Sequence, residues 1–217
     1  MTVIQPTCIS CNNSIREGIY NSLFYPNLLT ILSTFIALTF IVFLLSWLSA
    51  HQHKRRTTVS KAQLSRRPLF TAAMVLGIGI GGFIDGIVFH QLMQSHEMLS
   101  AKVPATDYVG KSINMFWDGI FHGFCLVVVL IGVFLLWRVV KTQNADHSAR
   151  LLTGGMLCGW GIFNLIEGSI NHQLLKLHNV MEYTTNHDPA NYGFLGVSVL
   201  LLFIGNWISK PRQKTGE

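Results

Sequence analysis

Five apolar stretches, each about as long as a bilayer is thick, limit what this chain can become. They run from Asn27 to Ala50, Leu69 to about Met93, Ile113 to Val140, Leu151 to Leu175 and Tyr192 to Ile208, the last being the shortest. Backbone groups in lipid must be satisfied within their own segment, and strand-like alternation is absent, so helices are expected. Composition points the same way. Hydrophobic residues make up 50% of the 217 and charged residues 12%, against roughly 25% charged in an average soluble domain. A soluble globule of this size would lack the polar surface to cover itself. The net charge of +6 comes from short segments between the apolar runs. It forms no basic face of the kind that binds nucleic acid, which is excluded as a partner. Disorder, collagen and a disulfide-dense scaffold are excluded by composition. The fold class expected is all-α: an integral membrane protein with five transmembrane helices.

The distribution of Lys and Arg gives an orientation. Lys54, Arg55, Arg56, Lys61, Arg66, Arg67, Arg138, Lys141, Arg150, Lys210, Arg212 and Lys214 fall on one side of five alternating spans. Arg16, Lys102, Lys111 and Lys176 fall on the other. The N-terminus is expected outside and the C-terminus in the cytoplasm, at a bacterial inner membrane. The first apolar run begins too far in, and is too long, for a cleavable signal, so it reads as a retained anchor.

Two segments match at an offset of 82 residues. Gly77, Gly79, Asp85, Gly86, His90, Gln91, Leu92 and His96 fall on Gly159, Gly161, Glu167, Gly168, His172, Gln173, Leu174 and His178. The following helices match more weakly, with Asp118 on Asn191, Phe121 on Phe194 and Ile131-Gly132 on Ile204-Gly205. The reading is a helix pair used twice in parallel orientation, forming a four-helix bundle. It divides the chain into residues 1–65 (an outer CxxC segment, the anchor helix and a basic cytoplasmic loop) and the membrane core 66–217.

Of ten acidic residues, three lie inside spans, Asp85, Asp118 and Glu167, each near a histidine: His90, His122 and His172. An ionisable group at a helix centre in lipid costs on the order of 3 kcal/mol on insertion scales. Six of them call for mutual pairing, a metal or a water path. Antiparallel packing would stack an outer layer of His90, Asp118 and His172 above an inner layer of Asp85, His122 and Glu167. Two histidines and a carboxylate are a donor set for iron, copper or zinc. Asp85 and His90 are about 140° apart around an ideal α-helix, so meeting at one point needs a distortion, which Gly81, Gly82 and Gly86 would permit. His96 and His178 are expected at the outer mouth, with His187 and Asp188 of the last outer loop. His51, His53 and His147 read as solvated bystanders.

Cys8 and Cys11 form a CxxC on the outer, oxidising side. No histidine follows Cys11, which disfavours covalent haem attachment. A disulfide, a redox thiol pair and a soft copper ligand pair all remain open. Cys125 and Cys158 read as small packing residues. The glycine runs lie in apolar helices, where close helix packing explains them better than phosphate binding.

At GGFIDGIVFHQLMQSHEMLS, FWDGIFHGF and NLIEGSINHQLLKLH the chain resembles a bacterial membrane-protein family known as domain of unknown function 2243. The resemblance covers about Arg66 to Trp207, so the CxxC and the first span look like an appended module. It implies a four-helix membrane core and, from the genes that accompany the family, a copper-delivery or respiratory context. Asp85, His90, His96, Asp118, His122, Glu167, His172 and His178 are the family-pattern positions. Where the family has a second histidine after the distal one, this chain carries Glu97 and Asn179.

Three functions are weighed. The first is an inner-membrane metal-binding protein handling copper or iron for respiratory-enzyme assembly. There His90, His172 and Asp118 would be ligands, and Asp85 and Glu167 would orient His122 or bind a second ion. The second is a metalloenzyme, an oxidoreductase or hydrolase, using the same site. The third is metal-free: a polar network fastening the helices of a partner-binding subunit. A proton or ion conduit is weaker than these, because the helices below the inner layer are apolar. The expected cofactor is a transition-metal ion. The expected partners are the bilayer and a respiratory oxidase or its assembly factors, with homo- or hetero-oligomers both open.

Overall fold

The computed structural model describes residues 12–24, 28–55 (side chains to 48) and 64–211. Cys8 and Cys11 lie outside the described residues, as do Arg56, Lys61, Arg212 and Lys214. The described elements are helical. They are α1 (Asn13–Ser22), α2 (Leu28–Arg55), α3 (Arg67–Ile84), α4 (Tyr108–Val140), α5 (Ala149–Glu167) and α6 (Asp188–Ser209). α3 runs straight on into a π-helical segment, Asp85–Leu92, and α5 into a second, Gly168–Leu174. Five helices are long and apolar enough to cross a bilayer: Leu28–Leu48, Arg67–Leu92, Tyr108–Val140, Ala149–Leu174 and Asp188–Ser209. These are the five apolar runs of the sequence.

α3 and α5 form the centre, with α4 packed on α3, α6 on α5, and α2 laid across α3 and α5. The α3–α5 crossing is close because glycine meets backbone there. A Cβ at Gly77 would run into the Met156 carbonyl, and one at Gly159 into the Met74 carbonyl. Outward faces carry exposed apolar side chains, such as Leu130, Phe134 and Trp137 on α4 and Val197, Leu200 and Phe203 on α6. Such belts suit lipid rather than water. The anchor helix is not peripheral: Ile31, Thr34 and Leu38 of α2 are buried against the bundle.

Asn12 caps α1 by accepting from the Ser14 and Ile15 amides at 3.0 and 3.3 Å. This ten-residue helix is too short to register as a span in the sequence. It docks on α4, where Trp117 Nε1 donates to Ser22 Oγ at 2.9 Å. Asp107 caps α4 through the Gly110 amide at 2.7 Å. At the opposite end of the bundle, Arg66 bonds Asp146 at 3.2 Å and the Ser209 carbonyl, joining the starts of α3 and α5 to the end of α6. Asp146 sits in the loop between α4 and α5. Its slight burial, which pushes the carboxyl up, is outweighed by hydrogen bonds from Ser148 and by Arg66, so it titrates below the usual range.

The two π segments end 82 residues apart, at Leu92 and Leu174; Asp85 opens the first and Glu167 caps the second. Just beyond them stand Gln94 (φ 51°) and Lys176 (φ 50°), the two non-glycine residues in the left-handed region among those described. That conformation costs an L-residue roughly 1–2 kcal/mol. It turns each chain back on itself, held by Ser95 N to Phe89 O at 3.0 Å and Leu177 N to Asn171 O at 2.8 Å.

Candidate metal centre

Where the π segments and the turns after them converge, six ionisable side chains meet: Asp85, His90, His96, Glu167, His172 and His178. None is more than 3% exposed. The π geometry brings the acid and the first histidine of each segment together. Its i to i+5 bonding places residues five apart nearly above one another. His90 Nε2 thus lies 3.3 Å from Asp85 Oδ2, and His172 Nε2 lies 3.1 Å from Glu167 Oε1. The left-handed turns bring in the second histidines. His96 and His178 stack with ring centroids 4.8 Å apart and planes 7° from parallel. His96 lies edge-on to His90 at 4.6 Å, and His178 edge-on to His172 at 4.8 Å. His96 and His178, expected at the outer mouth, are buried beside the first histidines, because the chain folds back after each π segment.

Three of the rings have their tautomer set from behind. His96 Nδ1 donates to the Val180 carbonyl and His178 Nδ1 to the Met98 carbonyl, both at 3.0 Å. A carbonyl only accepts, so each Nδ1 carries the proton. His90 Nδ1 donates to Asp118 Oδ1 at 2.8 Å. Asp118 also accepts the Met98 amide at 3.0 Å. It approaches the Nδ1 side of His90, as an orienting group would. In their neutral forms these rings present Nε2 lone pairs inward. His178 Nε2 faces Glu167 Oε1 at 2.8 Å, and His90 Nε2 faces Asp85 Oδ2. Two acceptors at such distances repel unless a proton or a metal ion lies between them.

Other atoms are left over. Among the described residues, both Asp85 oxygens, His90 Nε2, His96 Nε2, both His172 nitrogens and Glu167 Oε2 are buried without a hydrogen-bond partner. For His90 and His172 the neighbouring carboxylates are near enough for an ion pair but poorly aligned for a hydrogen bond. Burial pushes His96 well below the usual imidazole value, which favours its neutral, metal-binding form. Two groups have the compactness to hold an ion: His90, His96 and His178, and Glu167, His172 and His178. Each offers one ligand atom per residue, all within 4.8 Å of one another.

A cavity of about 10 Å³ lies beside them, lined by Asp85, His90, Glu167 and His178 and, from α2, by Thr34, Phe35 and Leu38. That is room for about one water-sized occupant. Thr34 Oγ donates to Asn171 Oδ1 at 2.5 Å, and Asn171 Nδ2 donates to Glu167 Oε1 at 3.3 Å. Sequence reasoning missed both Thr34 and Asn171. Their signal was the one used for the acids, a polar residue inside an apolar run, but threonine and asparagine carry no charge to force the issue.

The remaining expected residues lie apart. His122 turns Nδ1 to the Asp118 carbonyl at 2.8 Å and stacks on Phe83, with Nε2 buried and unpartnered. It joins neither compact group. His187 donates to the Met181 carbonyl at 2.9 Å, and Asp188 is exposed at the start of α6. Glu97 pairs with Lys111, though burial still holds its carboxyl above the usual range. Asn179 binds Glu182 and Asn191. Both stand where the resemblance has a second histidine, and both serve the loops. Cys125 and Cys158 are buried free thiols packed among apolar neighbours.

A family model described as a predicted membrane protein, DUF2243, matches residues 72–212. No curated protein and no solved structure matches the chain.

Proposed function

We propose, from the premise that this chain belongs to the DUF2243 family of predicted membrane proteins, that it binds a transition-metal ion inside the bilayer. One observation carries the reading. Imidazole nitrogens whose opposite nitrogens are already committed face buried carboxylate oxygens at 2.8 and 3.3 Å. A cation between them relieves the repulsion. No lysine or arginine is buried among the described residues, and buried carboxylates need a countercharge. Imidazole and carboxylate without thiolate suit iron, copper(II) or zinc. The Val180 and Met98 carbonyls and Asp118 hold the rings as metal-site partners do. The small cavity suits an ion and its water better than an organic substrate, which favours holding a metal over turning over a substrate.

The excess of Lys and Arg at the opposite end of the bundle supports placing the centre in the outer half of a cytoplasmic membrane. Handling copper or iron for a respiratory oxidase is the use in keeping with that location. The 82-residue recurrence of the π segments and the left-handed turns supports a bundle built from a duplicated helix pair.

The test is elemental analysis of the full-length chain, purified in detergent without added metal or a metal-binding tag, beside His90→Ala and His172→Ala. Bound iron, copper or zinc that falls in both variants is the expected result. A folded wild-type chain that takes up no metal, even on reconstitution, would sink the reading and leave a proton-bridged clasp between helices.

A further inference from the structure

The centre contains more ligands than one four-coordinate ion can use. Six buried side chains converge, whereas a four-coordinate ion takes four at most. A carboxylate left in that surplus would be costly in an apolar core without a partner. The ligands also divide evenly. Asp85, His90 and His96 stand 82 residues before Glu167, His172 and His178. In each set an acid meets the histidine five residues on, across one π turn, at 3.3 Å in the first and 3.1 Å in the second. In each set the third member stacks against its counterpart and donates Nδ1 to a carbonyl of the other half.

His178 decides between one centre and two. It belongs to both compact groups, yet its Nδ1 is spent on the Met98 carbonyl. Its single free nitrogen can serve only one ion, and Glu167 already stands 2.8 Å from it. That leaves His90 and His96 in need of a third ligand. Asp85 joins neither compact group as the side chains stand, but it lies 3.3 Å from His90 Nε2 with both oxygens unpartnered among the described residues, so a small shift of its carboxylate towards His96 would complete the set. The cavity lies between the sets, since Asp85 and His90 line it together with Glu167 and His178.

We infer that the centre takes two transition-metal ions, one held by Asp85, His90 and His96 and the other by Glu167, His172 and His178. This rests on the metal-binding reading and adds its stoichiometry and its division of ligands. The ions would sit among their ligands on either side of this small pocket, as in two-metal sites whose ions lie about 3.5–4 Å apart.

The experiment uses Co²⁺ as the probe on the full-length chain in lipid nanodiscs. Bound metal is counted after equilibrium dialysis, and folding is checked by helical circular dichroism. The wild type is expected to hold two ions. The pair Asp85→Asn with His90→Gln should hold one, and so should Glu167→Gln with His172→Gln. A wild-type count of one, abolished by either pair, would overturn the inference and keep the metal reading. A count of zero in the folded wild type would overturn both. Two ions retained in either pair, or both lost together from a pair that remains folded, would overturn the division between halves. If the paired variants do not fold, the wild-type count still decides, joined by the magnetic coupling of two neighbouring Co²⁺ ions in electron paramagnetic resonance.

Discussion

The chain around the first π segment and the chain around the second share backbone features but not a set of partners. Each has a close glycine contact, a π segment, a left-handed turn and a buried pair of histidines. Behind the histidines they diverge. Asp118 in the first half takes both His90 Nδ1 and the Met98 amide. Its counterpart Asn191 takes only the corresponding Val180 amide, at 2.9 Å, and turns its own amide to Asn179. His172 Nδ1 has no hydrogen-bond partner among the described residues. The second half instead has Asn171 and, from α2, Thr34 behind Glu167. One half orients its histidine and the other its acid. In the proposed metal centre, a recurring backbone would thus carry two sites whose affinity and preference are tuned separately by the groups behind the ligands.

The largest expected effects test the shared part. Gly77→Val and Gly159→Val each push a side chain into a facing carbonyl. Both should destabilise the bundle by about 3 kcal/mol or more, and to a similar extent. Thermal unfolding in detergent measures this, and a large inequality would break the equivalence of the halves. Next come the divergent residues. Asp118→Ala strands a buried ring nitrogen and an amide, and should cost about 2–3 kcal/mol with a 10–100-fold loss of metal affinity. Asn191→Ala should cost about 1–2 kcal/mol and leave affinity nearly unchanged. Equal affinity losses would show that Asp118 does not act through His90.

Thr34→Val keeps the shape of the side chain and removes one buried hydrogen bond. It should cost about 1 kcal/mol and weaken the ion bound by Glu167 more than the other. Metal titration resolving two affinities would show this as a drop in one of them. The smallest effect lies at the far end of the bundle, away from the ligands. Asp146 titrates below its unfolded value, so its contribution is present above about pH 4 and is lost as pH falls through the folded pKa. The pair with Arg66 is partly exposed, at 33% and 21% of the two side chains. Screening limits it to about 0.5 kcal/mol. Melting curves of wild type and Asp146→Asn should differ by that little at pH 7 and converge by pH 3.

Much of the fold was legible because lipid imposes a length and forbids unsatisfied backbone, so Leu28–Leu48 or Tyr108–Val140 could be read from apolar composition alone. The acids and histidines of the site were legible for a related reason: a charge inside an apolar run is expensive and therefore conspicuous. Their arrangement was less so. On an α-helix Asp85 and His90 point apart, and only the widened π turn lets them meet. His96 and His178 follow the last span-like residues, and extrapolation along the helix axis carries them to an exposed mouth. A single left-handed residue in each turn, Gln94 or Lys176, reverses that path. Neither glutamine nor lysine advertises a positive φ as glycine would.

The chain's amino acids by themselves determine that it enters a membrane, how many times it crosses, and which ionisable groups go with it, because these follow from transfer free energies that act residue by residue. Tertiary structure alone decides that four imidazoles meet at the centre, that Asp118 stands behind a ring, and that the first span closes one side through Thr34. Those contacts join residues as distant as Thr34 and Asn171, and they depend on a local change in helical pitch that no residue type dictates.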